Sequence, residues 1–281
     1  MSDFETVSSG DAEAKFYRRS PAWQDTKTAA VGGIKFGSSQ AGSALLEQIC
    51  IAAKAEGFEA LLGPLDGDTW HSYRLVFDSD GSPPFMMEPV SGAHDLTAFT
   101  AAGFAPVSHY MSAKARLTDT LGDTPVPVPT GIHIEAWDGQ DGEKLIRYLF
   151  EMSTGSFAQN LFFTPIDFES FLGIYTPLLP FINKDHVLFA RDTAGDIQGF
   201  LFGTPNYLAQ GDEKSCILKT YASAIPGIGH LLADSYHRRA IDMGFTHVIH
   251  ALMHEDNKSR WASEKHRAHI FRRYALMGRK L

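Results

Sequence analysis

The chain has 281 residues, a formal net charge of −8, 44% hydrophobic residues and twenty phenylalanines. That length exceeds one average domain, so two packed cores are expected. The acidic balance argues against nucleic acid or an anionic membrane surface as partner, and no run approaches the roughly 18 apolar residues of a membrane span. The opening, MSDFETVSSGDAEAK, is polar and acidic and reads as no signal peptide. Cys50 and Cys216 are far apart with no C-x-x-C pattern, which points to neither a disulfide framework nor a zinc site and to a reduced, cytoplasmic setting.

In chain order, the first few residues are expected to be loose, with a short strand at 4–7 and a turn or helix fragment at 17–23. Residues 29–36 (AAVGGIKF) read as a strand. Ser38 and Ser39 can cap a helix over 40–56, with Leu45, Ile49, Ala52 and Ala53 on one face. Gly57 ends it, and 58–62 is the next strand. Asp66, Asp68 and Trp70 lie in a turn-rich segment, where turn chemistry and an anchoring aromatic explain them best. A strand at 75–78, an irregular stretch marked by Pro83, Pro84 and Pro89, a helix at 95–102 and a strand at 104–113 complete this half.

Residues 117–130 (LTDTLGDTPVPVPT) read as a linker, since the alternating Pro125, Pro127 and Pro129 favour extended geometry and exclude a helix. The domain boundaries follow: 1–116, the linker 117–130, and 131–281. In the second half the pattern gives a strand at 132–137, a helix at 141–152, an aromatic loop at 156–165 and a helix at 167–175. Strands at 186–191, 198–204 and 216–223 follow. A glycine turn, Pro226-Gly227-Ile228-Gly229, opens a helix at 230–243, followed by strands at 245–253 and 270–276.

A backbone-lined turn between strand and helix offers N–H groups and the positive end of a helix dipole to an anion. The window Ala224-Ile225-Pro226-Gly227-Ile228-Gly229, followed by Leu231-Leu232, a second strand and then Asn257 and Ser259, resembles the cofactor motif of the GCN5-related N-acetyltransferase (GNAT) superfamily. The family's leading Arg/Gln is replaced by Ala224, the turn is shorter, and the Asn/Ser pair is one position out of register. The element order over 131–281 is the family's as well. The first half resembles a degenerate second copy, as in tandem GNAT proteins, because Gly37-Ser38-Ser39-Gln40-Ala41-Gly42 lacks the glycine spacing. The resemblance implies a mixed α/β (α+β) fold of two GNAT-like domains, each a twisted mixed sheet flanked by helices.

The resemblance further implies acetyl-CoA as cosubstrate, with no metal, and an amine acceptor that is a small molecule or a peptide. Thr220, Tyr221 and Ala222 would pair with the pantetheine arm. Gly227, Ile228, Gly229, His230 and Leu231 would bind the pyrophosphate, and Asn257 and Arg260 would meet the cofactor from the other side. The basic run from Lys258 to Lys280 is either a solvated face or an attraction for the phosphates. Glu255 is the nearest carboxylate for a general base, with a water chain as the alternative. His266 stands about where the family places its general acid, although an exposed surface histidine is the commoner reading; Tyr274 is a second candidate, for which a core tyrosine is as good a reading. His247, His250 and His254 are better read as packing or substrate contacts than as a metal site. The acceptor pocket, beside the first two helices, points to Phe157, Asn160, Phe162 and Phe163. The leading expectation is an N-acyltransferase acting by direct attack in a ternary complex. The alternative is a non-catalytic tandem module that binds acyl-CoA or another ligand as sensor or scaffold. The chain is expected as a monomer or homodimer.

Overall fold

A computed structural model describes residues 4–281; residues 1–3, part of the segment expected to be loose, lie outside the described residues. The first half holds β1 (Phe4–Ser9), β2 (Ala12–Tyr17), β3 (Thr28–Phe36), α1 (Ser39–Ala55), β4 (Ala60–Gly63), β5 (Leu75–Ser79), α2 (Asp95–Ala101) and β6 (Ala105–Arg116). The short helix α3 (Leu117–Thr120) leads out of it. The second half holds β7 (His133–Ala136), α4 (Gly142–Phe157), α5 (Phe168–Tyr175), β8 (Val187–Arg191), β9 (Ile197–Pro205), β10 (Ser215–Ser223), α6 (Ile228–Asp242), β11 (His247–His254), α7 (Lys258–Lys265) and β12 (His269–Lys280).

Local chemistry accounts for most of these elements. The Ser38 side chain accepts from the Ala41 N–H at the start of α1, and Asp167 does the same for Ser170 at α5. The strand β2 was not expected. Its inward positions Ala12, Ala14 and Phe16 alternate correctly, but two of the three are alanine and carry little hydrophobic signal. Gly10, with φ +61°, and Asp11 make the two-residue hairpin loop that pairs β2 with β1. The aromatic segment expected as loop from 156 is partly helical, since α4 continues to Phe157. In the linker, Leu117 to Thr120 form one helical turn ahead of the prolines, and 121–132 hold neither helix nor strand.

The sheet runs through both halves of the chain. The twelve strands of the described residues join one sheet, ordered β1-β2-β3-β4-β12-β6-β11-β10-β9-β8-β7, with β5 also on β12. Residues 117–130 supply no strand, and the sheet is continuous across both halves. The physical reason is an exchange of final strands. β6 leaves the first half to pair with β11, and β12 leaves the second half to pair with β4 and β5. β6 and β12 then pair with each other along their length. The cores follow the strands: Ala275 and Met277 of β12 lie in the first half's core, while Ala115 of β6 lies under α6 in the second's.

Candidate functional site

β10 and β11 run parallel and paired only from Ser215 to Leu218 against His247 to His250. Beyond that they part. Each strand is irregular at the parting point: the β10 register on β9 shifts between Leu218 and Thr220, and the β11 register on β6 shifts between His250 and Met253. Leu252 sits there with φ +59°. Such bulges turn side chains and end pairing, and here they open a wedge. A cavity of about 540 Å³ fills it, lined by Leu218 to Tyr221 of β10, His250 to His254 of β11, and Asn257, Ser263 and His266 at α7. The first half supplies the opposite wall through Thr69 to Arg74, Met87 to Pro89, and Tyr110.

Of the residues expected to meet a cofactor, some line this wedge and others do not. Thr220, Tyr221 and Asn257 line the cavity, and Ala222 is buried beside it. Gly227 caps α6 with φ +90°, and no side chain caps the helix. Ile228 and Leu231 turn their side chains into the core. Their N–H groups are already bonded to Ile225 O and Gly227 O, and that of His230 also reaches Gly227 O. Among the described residues the Gly227 and Gly229 N–H groups of this turn make no hydrogen bond. The turn thus offers two free donors, at Gly227 and Gly229, among the five residues expected to hold the pyrophosphate. Gly229 itself rests on Tyr221, whose ring lies 3.0 Å from where a Cβ would stand. Arg260 does not line the cavity; its guanidinium is held by Glu264 at 3.2 Å and lies over Trp261. The rest of the basic run is dispersed: Arg272 is buried with Glu88, and Arg279 pairs with Glu47.

The expected acid and base are placed differently. Glu255 does not line the cavity. Its carboxylate pairs with His109 Nδ1 at 3.2 Å, because the β11 irregularity turns it towards β6. His266 does line the cavity and is buried. Its Nδ1–H donates to Thr120 O at 2.9 Å, and its buried Nε2 has no partner. Burial holds its pKa below the usual histidine value, partly opposed by that hydrogen bond. The resting form is a neutral imidazole with a bare Nε2, which is a proton acceptor and not the histidinium expected of a general acid. Tyr274 lies in the core, bonded to Glu88 and to Ser112.

His250 has neither His247 nor His254 as its partner. Its Nε2 meets His237 Nε2 at 3.1 Å and its Nδ1 meets Ser263 Oγ at 2.8 Å. The His266 ring stands edge-on to His237 with centroids 4.7 Å apart. Burial, then the neighbouring His266, pushes His250 down to about 3. No group of three or more potential metal ligands is placed to share an ion among the described residues. His254 bonds Ser108, and His247 lies at the sheet end beside Thr246.

Of the residues expected to meet an acceptor, Phe157, Asn160 and Phe163 line the cavity. Phe162 does not. With φ +63° it turns into the first half's core against Leu62, Leu65 and Leu276, and Leu161 lines the cavity in its stead. The Trp70 indole N–H donates to Thr164 O at 2.8 Å and fastens this segment to the first half. Sequence reasoning missed Arg74, Glu88, Tyr110 and Lys219. Lys219 alone left a signal, as a charge in the middle of the apolar strand CILKTYAS.

The first half has no such wedge. β3 and β4 also pair in parallel, but the gap beyond is filled from within. Leu65 N–H donates to Val31 O at 2.8 Å, and the Gly33 N–H donates to Asp66 Oδ1 at 2.7 Å.

Comparison with known proteins agrees with this architecture. No family model and no curated protein matches the chain. Among solved structures, a GCN5-related N-acetyltransferase from Sphaerobacter thermophilus superposes with a TM-score of 0.55 at 15% identity, over 96% of this chain and 76% of that one. A tandem GNAT protein from the clavulanic acid biosynthesis pathway gives a TM-score of 0.56 at 14% identity, over 96% and 78%. A glucosamine N-acetyltransferase region of a fungal multi-domain β-N-acetylglucosaminidase gives 0.52 at 12%, over 95% of this chain and 31% of that one. At these identities the likeness is one of fold, and the fold is that of GNAT proteins.

Proposed function

We propose that the chain is an acyl-CoA-dependent N-acyltransferase that moves an acetyl group from acetyl-CoA to an amine by direct attack in a ternary complex. The observation that carries this reading is the parting of β10 from β11 beside a helix start with no side-chain cap. Thr220 and Tyr221 have no strand partner on the β11 side, so their backbone can pair with an amide-bearing arm. A Cβ added at Gly227 would meet nothing within 4 Å, so a phosphate has room to reach the Gly229 N–H and the helix dipole. Asn257 faces the same cavity from the start of α7. When bound, acetyl-CoA supplies an acyl group activated as a thioester. The chain's own part is to orient the amine between α5, the 157–163 segment and the first half, and to accept its proton near His266. Residues 131–281 carry this site, residues 1–116 form a degenerate copy whose own wedge is filled by Leu65 and Asp66, and 117–130 joins them.

A second reading, a non-catalytic module that binds acyl-CoA or another ligand, has one observation in its favour. The one acidic side chain in the cavity lining, Glu88, is engaged by Arg272 and Tyr274 and is not free to act as a base. Thiol release from acetyl-CoA across an amine panel, run beside coenzyme A calorimetry, separates the two. Binding with amine-dependent release supports the enzyme. Binding without release for any amine supports the module, and no binding removes both cofactor readings.

A further inference from the structure

Two basic side chains, Arg74 and Lys219, face the cavity without an ion pair among the described residues. Arg74 is only 8% exposed, and its Nε has no hydrogen-bond partner. One Nη makes a single long contact, 3.4 Å, to Leu252 O. Its guanidinium lies 4.0 Å from the Tyr73 ring centroid and 4.1 Å from that of Tyr110, so aromatic rings fix its plane. Arg74 is also held at φ +67°, a conformation that a non-glycine residue adopts rarely. Lys219, half-buried at the β10 irregularity, makes no ion pair among the described residues. Glu88 is the one acid in the cavity lining, but its oxygens are already taken by Arg272, the Phe85 N–H and Tyr274.

We infer that the amine acceptor carries a carboxylate, seated in the cavity against the in-plane edge of Arg74 and the ammonium of Lys219. The inference rests on the acyltransferase reading for the word acceptor, but the anion seat stands on its own geometry. Buried cations without a counter-charge are costly, and a ligand anion removes that cost. With ring faces on the guanidinium, a ligand approaches along its edge, where the fork of N–H groups matches a planar carboxylate. The turn at Gly227 to His230 lies outside the cavity lining, so this seat is separate from the one assigned to the pyrophosphate. The first half thereby selects the substrate for a site carried by the second.

Burial, and next the charge of Arg74, push Lys219 down to about 7, with Glu88 opposing. At pH 8 the lysine is mostly neutral, and a carboxylate beside it draws a proton on. The probes are N-acetylated amino acids, as product-like ligands, each paired with its carboxamide, and phosphoethanolamine for the phosphate case. Calorimetry on the full chain at pH 8, in two buffers of different ionisation enthalpy, should find carboxylates about tenfold or more tighter than carboxamides, with proton uptake. Arg74→Gln should erase the preference, Arg74→Lys should keep part of it, and Lys219→Met should abolish the proton uptake while remaining folded. Carboxamides binding as well as carboxylates, phosphoethanolamine binding better than either, no binding at all, or a preference that survives both Arg74→Gln and Lys219→Met would each overturn the inference. Coenzyme A titrated into the same samples keeps the two questions apart: its failure to bind sinks the acyltransferase reading and leaves the anion seat to be judged by the carboxylates.

Discussion

Histidine is the residue whose environment differs most from water in this protein. His186, His237, His250 and His266 are all buried. Burial is the main cause that lowers each: His186 to about 4, His250 to about 3, and His237 well below its ordinary value. The sign of the linkage follows. Unfolded, each titrates near 6.5, so below that pH the unfolded chain binds protons that the folded chain refuses. The stability from neutral burial is full above about pH 6.5 and is lost as pH falls towards the folded values. For His250 alone the loss at pH 5 is on the order of 2 kcal/mol. Urea midpoints should drop clearly between pH 7.5 and pH 5, and a flat profile would falsify the neutral-cluster assignment. The same geometry separates the two residues expected to be catalytic. Glu255→Ala should leave acetyl transfer within about twofold of wild type, because a surface pair with His109 contributes little. His266→Asn should lower kcat by about a hundredfold with coenzyme A affinity unchanged, the span typical of proton transfer by a positioned side chain. Equal activity in both variants would remove His266 from the reaction.

At the scale of elements, the acyltransferase reading puts cofactor affinity in the turn before α6. Gly229 is a poor place to test it, because an added Cβ meets the Tyr221 ring before it meets any ligand. Gly42 is a poor control, since a Cβ there would press on Phe36 at 2.6 Å. Gly227→Asp is the better variant. The site is open, aspartate tolerates positive φ better than most residues, and its charge at the helix start offsets part of the strain. That same charge repels a pyrophosphate, so coenzyme A should bind about thirtyfold more weakly, or about 2 kcal/mol. Gly81→Asp, at φ +81° with equally open space in the first half, carries the same backbone strain and should bind normally. Equal calorimetric affinities in the two variants would move the cofactor elsewhere. Much of this element was legible beforehand. The β10–α6–β11 order and the glycine turn are local features, written in alternation, spacing and breakers. The free N–H count was not legible, since it depends on where Ile225 and Gly227 point their carbonyls. Nor were Arg74, Lys219 and Phe162. Their roles come from contacts between distant parts of the chain, and from backbone angles that no residue pattern announces.

At the scale of the whole molecule, the exchange of β6 and β12 was invisible in the sequence for a related reason. Alternation marks a strand as half-buried but does not name its neighbour. β12 reads as the last strand of the second half, yet its Met277 to Lys280 stretch pairs with Gly63 to Ala60 of β4. β6 reads as the last strand of the first half, yet it pairs with His247 to His254 of β11. Two consequences follow for a pair of fragments that omits 121–125. Residues 126–281 alone would leave the β11 edge without β6, exposing unpaired N–H and C=O groups along that strand and uncovering Ile249 and Val248. Residues 1–120 alone would leave β4 without β12 and the first core without Ala275 and Met277. Losing those contacts removes apolar burial from both cores at once, and open edges favour association with other chains. Each fragment expressed alone is therefore expected to be insoluble or to aggregate. The two expressed together should find each other and purify as a one-to-one complex, because the linker holds neither helix nor strand beyond Thr120 and supplies no strand to the sheet. Val126 remains with the second fragment, so its N–H can still donate to Asp234 of α6. Size-exclusion chromatography of the co-expressed pair decides the matter. Two fragments that each elute as stable, folded monomers would mean that each half closes its own sheet in solution and that the strands are not exchanged.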